Sequence, residues 1–169
     1  MPLLTSIQDI RFAFDSLPHF LIKEALLSQG VSGQVTGLHM QELAGLQGFM
    51  VLPNVGATPR FDFGRGGKQG GVETPDEWNA VVNYVLEPVV RRWGALGLGF
   101  KLLVCDGVIS ELINHAVWAD NIILFAESYE HMQTMINDLD SAFVRTAWTV
   151  VRDTSIGNQT RWSTLHREL

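Results

Sequence analysis

One cysteine cannot make an internal disulfide framework, and Cys105 alone suits a reducing compartment. No Cys-x-x-Cys pair occurs and the five histidines are dispersed, so the ligand spacing of a zinc site is missing. No apolar run approaches the roughly 18 residues that would span a bilayer. The start, Met1-Pro2-Leu3-Leu4-Thr5-Ser6, has neither the basic region nor the apolar block of a signal peptide. Together these absences predict an intracellular protein, nuclear or cytoplasmic, without a membrane partner. Positive charge is scarce too. Lysines and arginines are thinly spread in a chain of net charge −6, which counts against tight nucleic-acid binding by this chain alone.

What is present reads as globular. The 169 residues are enough for one domain with a genuine core, at 46% hydrophobic and 18% charged. Residues 3 to 9 predict a strand. A helix follows to Gln29, with Pro18 in its first turn, Leu17, Phe20, Leu21, Ala25 and Leu26 near one face, and Gly30 as the stop. Asp15 is a candidate cap for it. A weaker helical stretch covers Val35 to Leu46. Strands are expected at Phe49 to Leu52 and Arg60 to Phe63, around a Pro53-Asn54-Val55-Gly56 turn.

The glycine-rich stretch Gly64-Arg65-Gly66-Gly67-Lys68-Gln69-Gly70-Gly71 leads into Thr74-Pro75-Asp76-Glu77. There Thr74 reads as N-cap, Pro75 as N1 and Glu77 as the partner in a capping box. Such a loop commonly brings backbone N–H groups close to a ligand. Trp78, Val81, Val82, Val85, Leu86, Val89 and Val90 continue an apolar face, with a late kink at Pro88. Beyond Phe100 two or three strands are expected, with an Asp120-Asn121 turn between 112–118 and 122–126. Met132, Met135, Ile136, Leu139 and Phe143 then predict an amphipathic helix from about Tyr129 to Arg145. A short strand at 147–151 precedes a polar tail, 153–169, expected to be loosely ordered. This order predicts an α+β fold, an antiparallel sheet with helices packed on one face.

Two carboxylates stand out. Asp120 lies inside the apolar run His115-Ala116-Val117-Trp118-Ala119-Asp120-Asn121-Ile122-Ile123-Leu124-Phe125, where an unpaired carboxylate would cost several kcal/mol in a core but fits the tip of a turn. Asp9 closes the first strand. Acidic groups at two strand ends are what a divalent-metal site for phosphoryl transfer requires. Each also has a plain reading, Asp9 as a turn carboxylate and Asp120 as a hairpin residue. Phe14 could equally be core, Gln69 a solvated loop residue, and Lys68 with Arg65 ordinary solubility. His19, His115 and His131 have no metal spacing and read as structural.

Three segments taken together resemble the reverse transcriptases of non-LTR (LINE-like) retrotransposons. Asp9 with Phe14 five residues on, in Phe14-Asp15-Ser16-Leu17-Pro18-His19, looks like motif A of that family. Lys68-Gln69-Gly70-Gly71-Val72-Glu73-Thr74-Pro75 with Asn79 looks like motif B, and Trp118-Ala119-Asp120-Asn121 like motif C. The likeness covers roughly Asp9 to Val151. It implies a polymerase palm over 1–152 and an RNA-directed DNA polymerase, a nucleotidyltransferase acting on an RNA template, a DNA primer and dNTP. It further implies Mg²⁺, with Mn²⁺ as substitute, on Asp9, Asp120 and the carbonyl of Ile10, and Asn121 as a catalytic position. Phe14 would be the gate against a ribose 2′-OH. Gln69 and Gly70 would meet the nucleotide, and Lys68 and Gly71 the template and primer.

The departures shape the expectation. Asn121 stands where a second aspartate is usual, and Phe12 where a basic residue is usual. Arg152 is the one cation near the expected motif D, where a lysine is typical. Fingers and thumb are not recognisable, so those segments or another protein are expected partners, and the isolated chain is expected to be inactive. The alternative is a catalytically dead retrotransposon-derived fragment serving as a binding or structural module. An unrelated metal-dependent hydrolase would need a further cluster of carboxylates or histidines.

Overall fold

The computed structural model describes residues 3–68, 70–101, 111–146, 148 and 150, with the backbone of 163–165. The chain divides into two compact units. One takes in the residues up to Arg11 and those from Val85 onward, the other Phe12–Tyr84. Helix and antiparallel sheet coexist, so the fold is α+β. Among the described residues no helix is long and apolar enough to cross a membrane.

In the first unit, strand β1 (Leu3–Asp9) is the strand expected from the sequence. Its alternation sends Leu4, Ser6 and Gln8 to a buried face, and Ile10 beyond it is buried as well. Strands β6 (His115–Trp118) and β7 (Asn121–Ala126) form a hairpin, and β8 (Ser163–Leu165) is the last strand. The sheet order is β6-β7-β1-β8, antiparallel throughout. Ile122, Leu124 and Ala126 share the buried face with Leu4 and Ser6.

Helix α4 (Tyr129–Val144) packs on β7 and β1 with Met132, Met135, Leu139 and Phe143 buried. Its bounds match the expected helix within a residue, because a period of 3 and 4 specifies the element strongly. Ser128 caps it, accepting from the His131 N–H. Burying Ser6 and Gln8 on this face is tolerable because the Gln8 amide donates to Ser6 Oγ at 2.7 Å. The opposite face is open: Ile7 is 42% exposed and Trp118 77%.

In the second unit, α1 (His19–Ser28) and α2 (Gly33–Ala44) pack together. Pro18, expected in the first helical turn, is instead the extended N-cap residue of α1, and no side chain caps it, so Asp15 has no capping role. Leu21, Ile22 and Ala25 are the buried residues of α1, while Phe20 is exposed. Ser32 caps α2, accepting from the Val35 N–H. Short strands β2 (Gln47–Gly48) with β5 (Phe61–Asp62), and β3 (Val51–Leu52) with β4 (Gly56–Ala57), make a two-stranded ribbon.

Helix α3 (Thr74–Leu96) starts in this unit and continues through Pro88. Its first half buries Trp78, Ala80, Val81 and Val82, and Ala80 O accepts from the Gln29 amide of the α1 cap. Its second half, in the first unit, buries Leu86 and Trp93, whose indole N–H donates to Asp138 of α4.

Other expectations need correction. The tail holds β8, which pairs with β1 through Leu3↔Leu165. Of the expected 112–118 strand, only His115–Trp118 belongs to the sheet, and Ile113 bridges Phe100 instead. Of the expected strand at 147–151, Val150 bridges Ile10, and 147, 149 and 151 lie outside the described residues, as do Gln69, Cys105 and Arg152.

The two sheet faces have different sensitivities. Leu124→Ala is expected to cost about 2–5 kcal/mol, while Ile7→Ala on the open face costs about 1 kcal/mol or less. Urea unfolding of the two variants compares them directly.

Candidate functional site

The buried apolar face of β7, Ile122, Leu124 and Ala126, lies beside Leu4, Ser6 and Gln8 of β1, and the register between the strands places Asp9. Asp9 lies directly opposite Asn121, and the Ile10 N–H donates to the Asp120 carbonyl at 3.0 Å. Residues from the two sequence segments of the first unit thus meet at one end of the sheet. Trp118 lies opposite Asn121 on the far side of β7, so Asp9, Asn121 and Trp118 form one cross-strand row on the open face.

The turn itself differs from the expected Asp120-Asn121 tip. Trp118 pairs with Asn121, which leaves Ala119 and Asp120 as the two loop residues and makes Asn121 the first residue of β7. Ala119 has φ of 51°, positive at the first loop position, as tight hairpins that match strand twist require. An L-residue holds that conformation at a cost of order 1 kcal/mol. The Asn121 side-chain amide donates to Asp120 Oδ1 at 3.2 Å. Asn121 thereby orients the neighbouring carboxylate without adding a second negative charge.

As donors, two carboxylates suit Mg²⁺, which is typically held by one or two carboxylates plus substrate phosphates. Among the described residues there is no group of three or more His, Cys, Asp or Glu that could hold a metal ion. His115 begins β6 on the buried side. Its ring meets the Trp93 edge at 6.2 Å, its Nδ1 lies 2.7 Å from Asn114 Oδ1, and burial lowers its pKa. It reads as a packed, neutral histidine.

The second group of candidates lies in the other unit. The glycine-rich segment folds back on the residues after Phe12. The Gly66 N–H donates to Leu17 O at 2.8 Å and the Gly67 N–H to Phe14 O at 3.2 Å. Gly66 has φ of +83° and its missing Cβ would lie 2.9 Å from Asp15 O, so glycine is required there twice over. His19 Nε2 lies 3.0 Å from Gly66 O. Next, the Gly71 N–H donates to Lys68 O at 2.7 Å, with Gly70 at φ of +81°. The N–H groups of Gly66, Gly67 and Gly71 are therefore spent inside the protein.

Phe14 is half-buried, its ring 5.6 Å from that of Trp78. The exposed Lys68 ammonium is 4.0 Å from Glu42, a weak surface pair. Gln69 lies outside the described residues.

The expected capping box does not form. The first helical bond runs from the Glu77 N–H to Glu73 O, so Thr74 is already inside α3, and its hydroxyl donates to Lys68 O at 2.8 Å. Freed from capping, Glu77 turns inward and is only 3% exposed. His39 Nε2 of α2 stands 2.7 Å from its Oε1, and neither carboxylate oxygen has a well-aligned hydrogen bond. Gly67 must lack a side chain here too, since a Cβ would come within 2.6 Å of Glu77 Oε2.

Desolvation raises the Glu77 pKa and Glu73 adds to the rise, whereas His39 and then His19 oppose it. The spacing did carry a signal for this group. Glu77 stands four residues before Val81, inside the apolar stripe, where a capping role was the competing explanation.

A carboxyl whose pKa is raised by folding contributes stability below its unfolded pKa and loses it as pH rises through the folded value. Glu77→Gln is therefore expected to raise stability at neutral pH, by about 1 kcal/mol. The gain should shrink toward zero as pH falls to about 4. Thermal melts across that range read the effect, and a gain that grows on acidification would reverse the assignment.

No family model matches the chain, and no curated protein is similar to it.

Proposed function

We propose that this chain is a reverse transcriptase-like palm, built for metal-dependent transfer of a dNTP to a primer 3′-OH on an RNA template, and inactive by itself. One observation carries the reading. The antiparallel β1–β7 register puts Asp9 opposite Asn121 and ties Ile10 to Asp120, so the acidic residues of two distant motifs share one sheet end. That supports the resemblance of Asp9 to motif A and of Trp118-Ala119-Asp120-Asn121 to motif C.

In this reading Asp9 and Asp120 bind the cations, and the Asn121 amide holds Asp120 in one orientation. Divalent cations, when bound, would supply activation of the primer hydroxyl and neutralisation of the leaving pyrophosphate. Phe14 would be the gate against a ribose 2′-OH by resemblance alone, and the Gly67 N–H bonds its carbonyl. Gln69, Gly70, Gly71 and Lys68 would line the nucleotide and template side by resemblance alone.

A second reading has its own support. Asn121 removes one charge, and no third acidic or histidine ligand joins the two aspartates among the described residues. A palm retained as a binding or structural module fits those two facts.

Calorimetric titration of the purified chain with Mn²⁺ and Mg²⁺ separates the readings. The polymerase reading expects saturable binding, lost in Asp9→Ala and in Asp120→Ala. It also expects Asn121→Asp to tighten Mn²⁺ binding about tenfold, roughly 1.4 kcal/mol, through the added carboxylate. A folded chain that binds neither cation is the module. Templated dNTP incorporation by the chain alone, abolished by Asp9→Ala, would show that the isolated palm is active after all.

A further inference from the structure

The ribbon between Leu46 and Phe63 has no use in the proposed chemistry, yet it carries a dense set of solvent-facing apolar side chains. Phe49, Met50, Val51, Leu52, Val55 and Phe61 are all exposed, Val51 to 69% and Val55 to 80%. The first four are consecutive. Val51 and Leu52 are consecutive in β3 and so face opposite ways, which makes both faces of the ribbon apolar there. A ribbon built to lie on its own domain would alternate apolar with polar. Each sheet is only two strands wide, β2 with β5 and β3 with β4, so every strand leaves an outer edge unpaired within its sheet. Isolated two-stranded ribbons are marginal in water, and open apolar edges are templates for pairing.

Charge selects the occupant. Residues 47–63 hold one cation, Arg60, and one anion, Asp62, in a chain of net charge −6. The Asp62 carboxylate accepts from the Gln47 amide within the ribbon. A nucleic acid or an anionic bilayer needs a cationic surface, which this segment does not provide. A second copy of the same ribbon meets no like-charge repulsion, although the rest of the chain is acidic. The area agrees. The exposed apolar side chains amount to on the order of 500 Å² or more, at the upper end of what monomers leave uncovered. Because these side chains lie on both faces, a twofold pair covers one face of each copy, which with the bordering backbone edges reaches toward the low end of specific interfaces, about 1,000 Å².

We infer that this ribbon is a self-association surface, pairing two copies of the chain about a twofold axis. Such an interface is isologous, so a change in one copy is met by the same change in its partner. The surface is independent of the aspartates of β1 and the β6–β7 turn.

Sedimentation of the purified chain over about 1–100 µM tests this. A concentration-dependent dimer is expected. Val51→Asp combined with Val55→Asp brings like charges together and should raise the dimer Kd at least tenfold with the circular dichroism unchanged. Val51→Thr combined with Val55→Thr, which adds no charge, should weaken the dimer in the same direction and serves if the aspartate pair does not fold. Val144→Asp, at an equally exposed apolar position in the other unit, should leave the dimer intact. A chain that stays monomeric to the highest concentration overturns the inference. So does a dimer indifferent to both ribbon pairs, or one that Val144→Asp dissolves equally.

Discussion

The pairing of β1 with β7 is the constraint on which the first unit depends. It joins the beginning of the chain to the hairpin at residues 115–126, and every hydrogen bond it makes is non-local. Closing so long a loop is entropically unfavourable, and the reward comes from the apolar face that the pairing completes under α4. Because side chains alternate with period two, a slip of β1 by one residue would turn Leu4 to the open face and Asp9 toward the face that α4 covers. Core packing and the position of the acidic group are therefore one decision. The same buried alternation that stabilises the sheet fixes which face the carboxylates take.

The interior is not purely apolar, and the exceptions differ in kind. Ser6 and Gln8 satisfy each other beside the hydrophobic layer, so their burial costs little. Glu77 is different. It is buried close to a histidine but without an aligned hydrogen bond, and its surroundings disfavour its charge. Gly67 lies directly over it, and a larger residue there would press against the carboxylate. The strap and the buried glutamate are thus coupled sterically as well as electrically. The Gly66–Lys68 segment is held by this packing together with the bonds to Phe14, Leu17, His19 and Thr74.

Legibility in the sequence followed the strength of periodicity. Helix α4 was readable nearly to the residue because Met132, Met135, Leu139 and Phe143 repeat without interruption. Strand β1 was readable because it is short, opens on Leu3 and Leu4 and is bounded by Asp9. The joining of Asp9 to the Asp120 turn was expected from resemblance and agrees with the observed register, although that register alone does not assign either residue a role. Elsewhere local signals competed. A threonine before a proline is a good cap by composition, yet Thr74 spends its hydroxyl on Lys68 O, a partner six residues back that no capping pattern anticipates. Phe20 fits the stripe of α1 by spacing, but Ile22 takes the buried place, since tertiary contact chooses among apolar residues that spacing leaves equivalent. Strand β8 had no readable pattern, because three residues on a sheet edge need only backbone pairing with β1.

Charge sets the last constraint on the proposed activity. The open face presents Asp9 and the aromatic surface of Trp118 in a chain with few cations, so a polyanionic strand approaching it gains nothing from the protein's own field. Exposed charges more than about 8 Å away are largely screened at physiological salt, so distant lysines cannot compensate. Under the proposed reading, grip on a template and primer would come either from cations shared between the aspartates and the phosphates or from a basic surface on a further segment or another chain. The first would make strand affinity depend on the two aspartates, whereas the second would leave it untouched when they are neutralised. Under the proposed reading, holding a strand and reacting on it would be separable properties, and the small acidic turn around Asp120 would bear on only the second unless cations link the two.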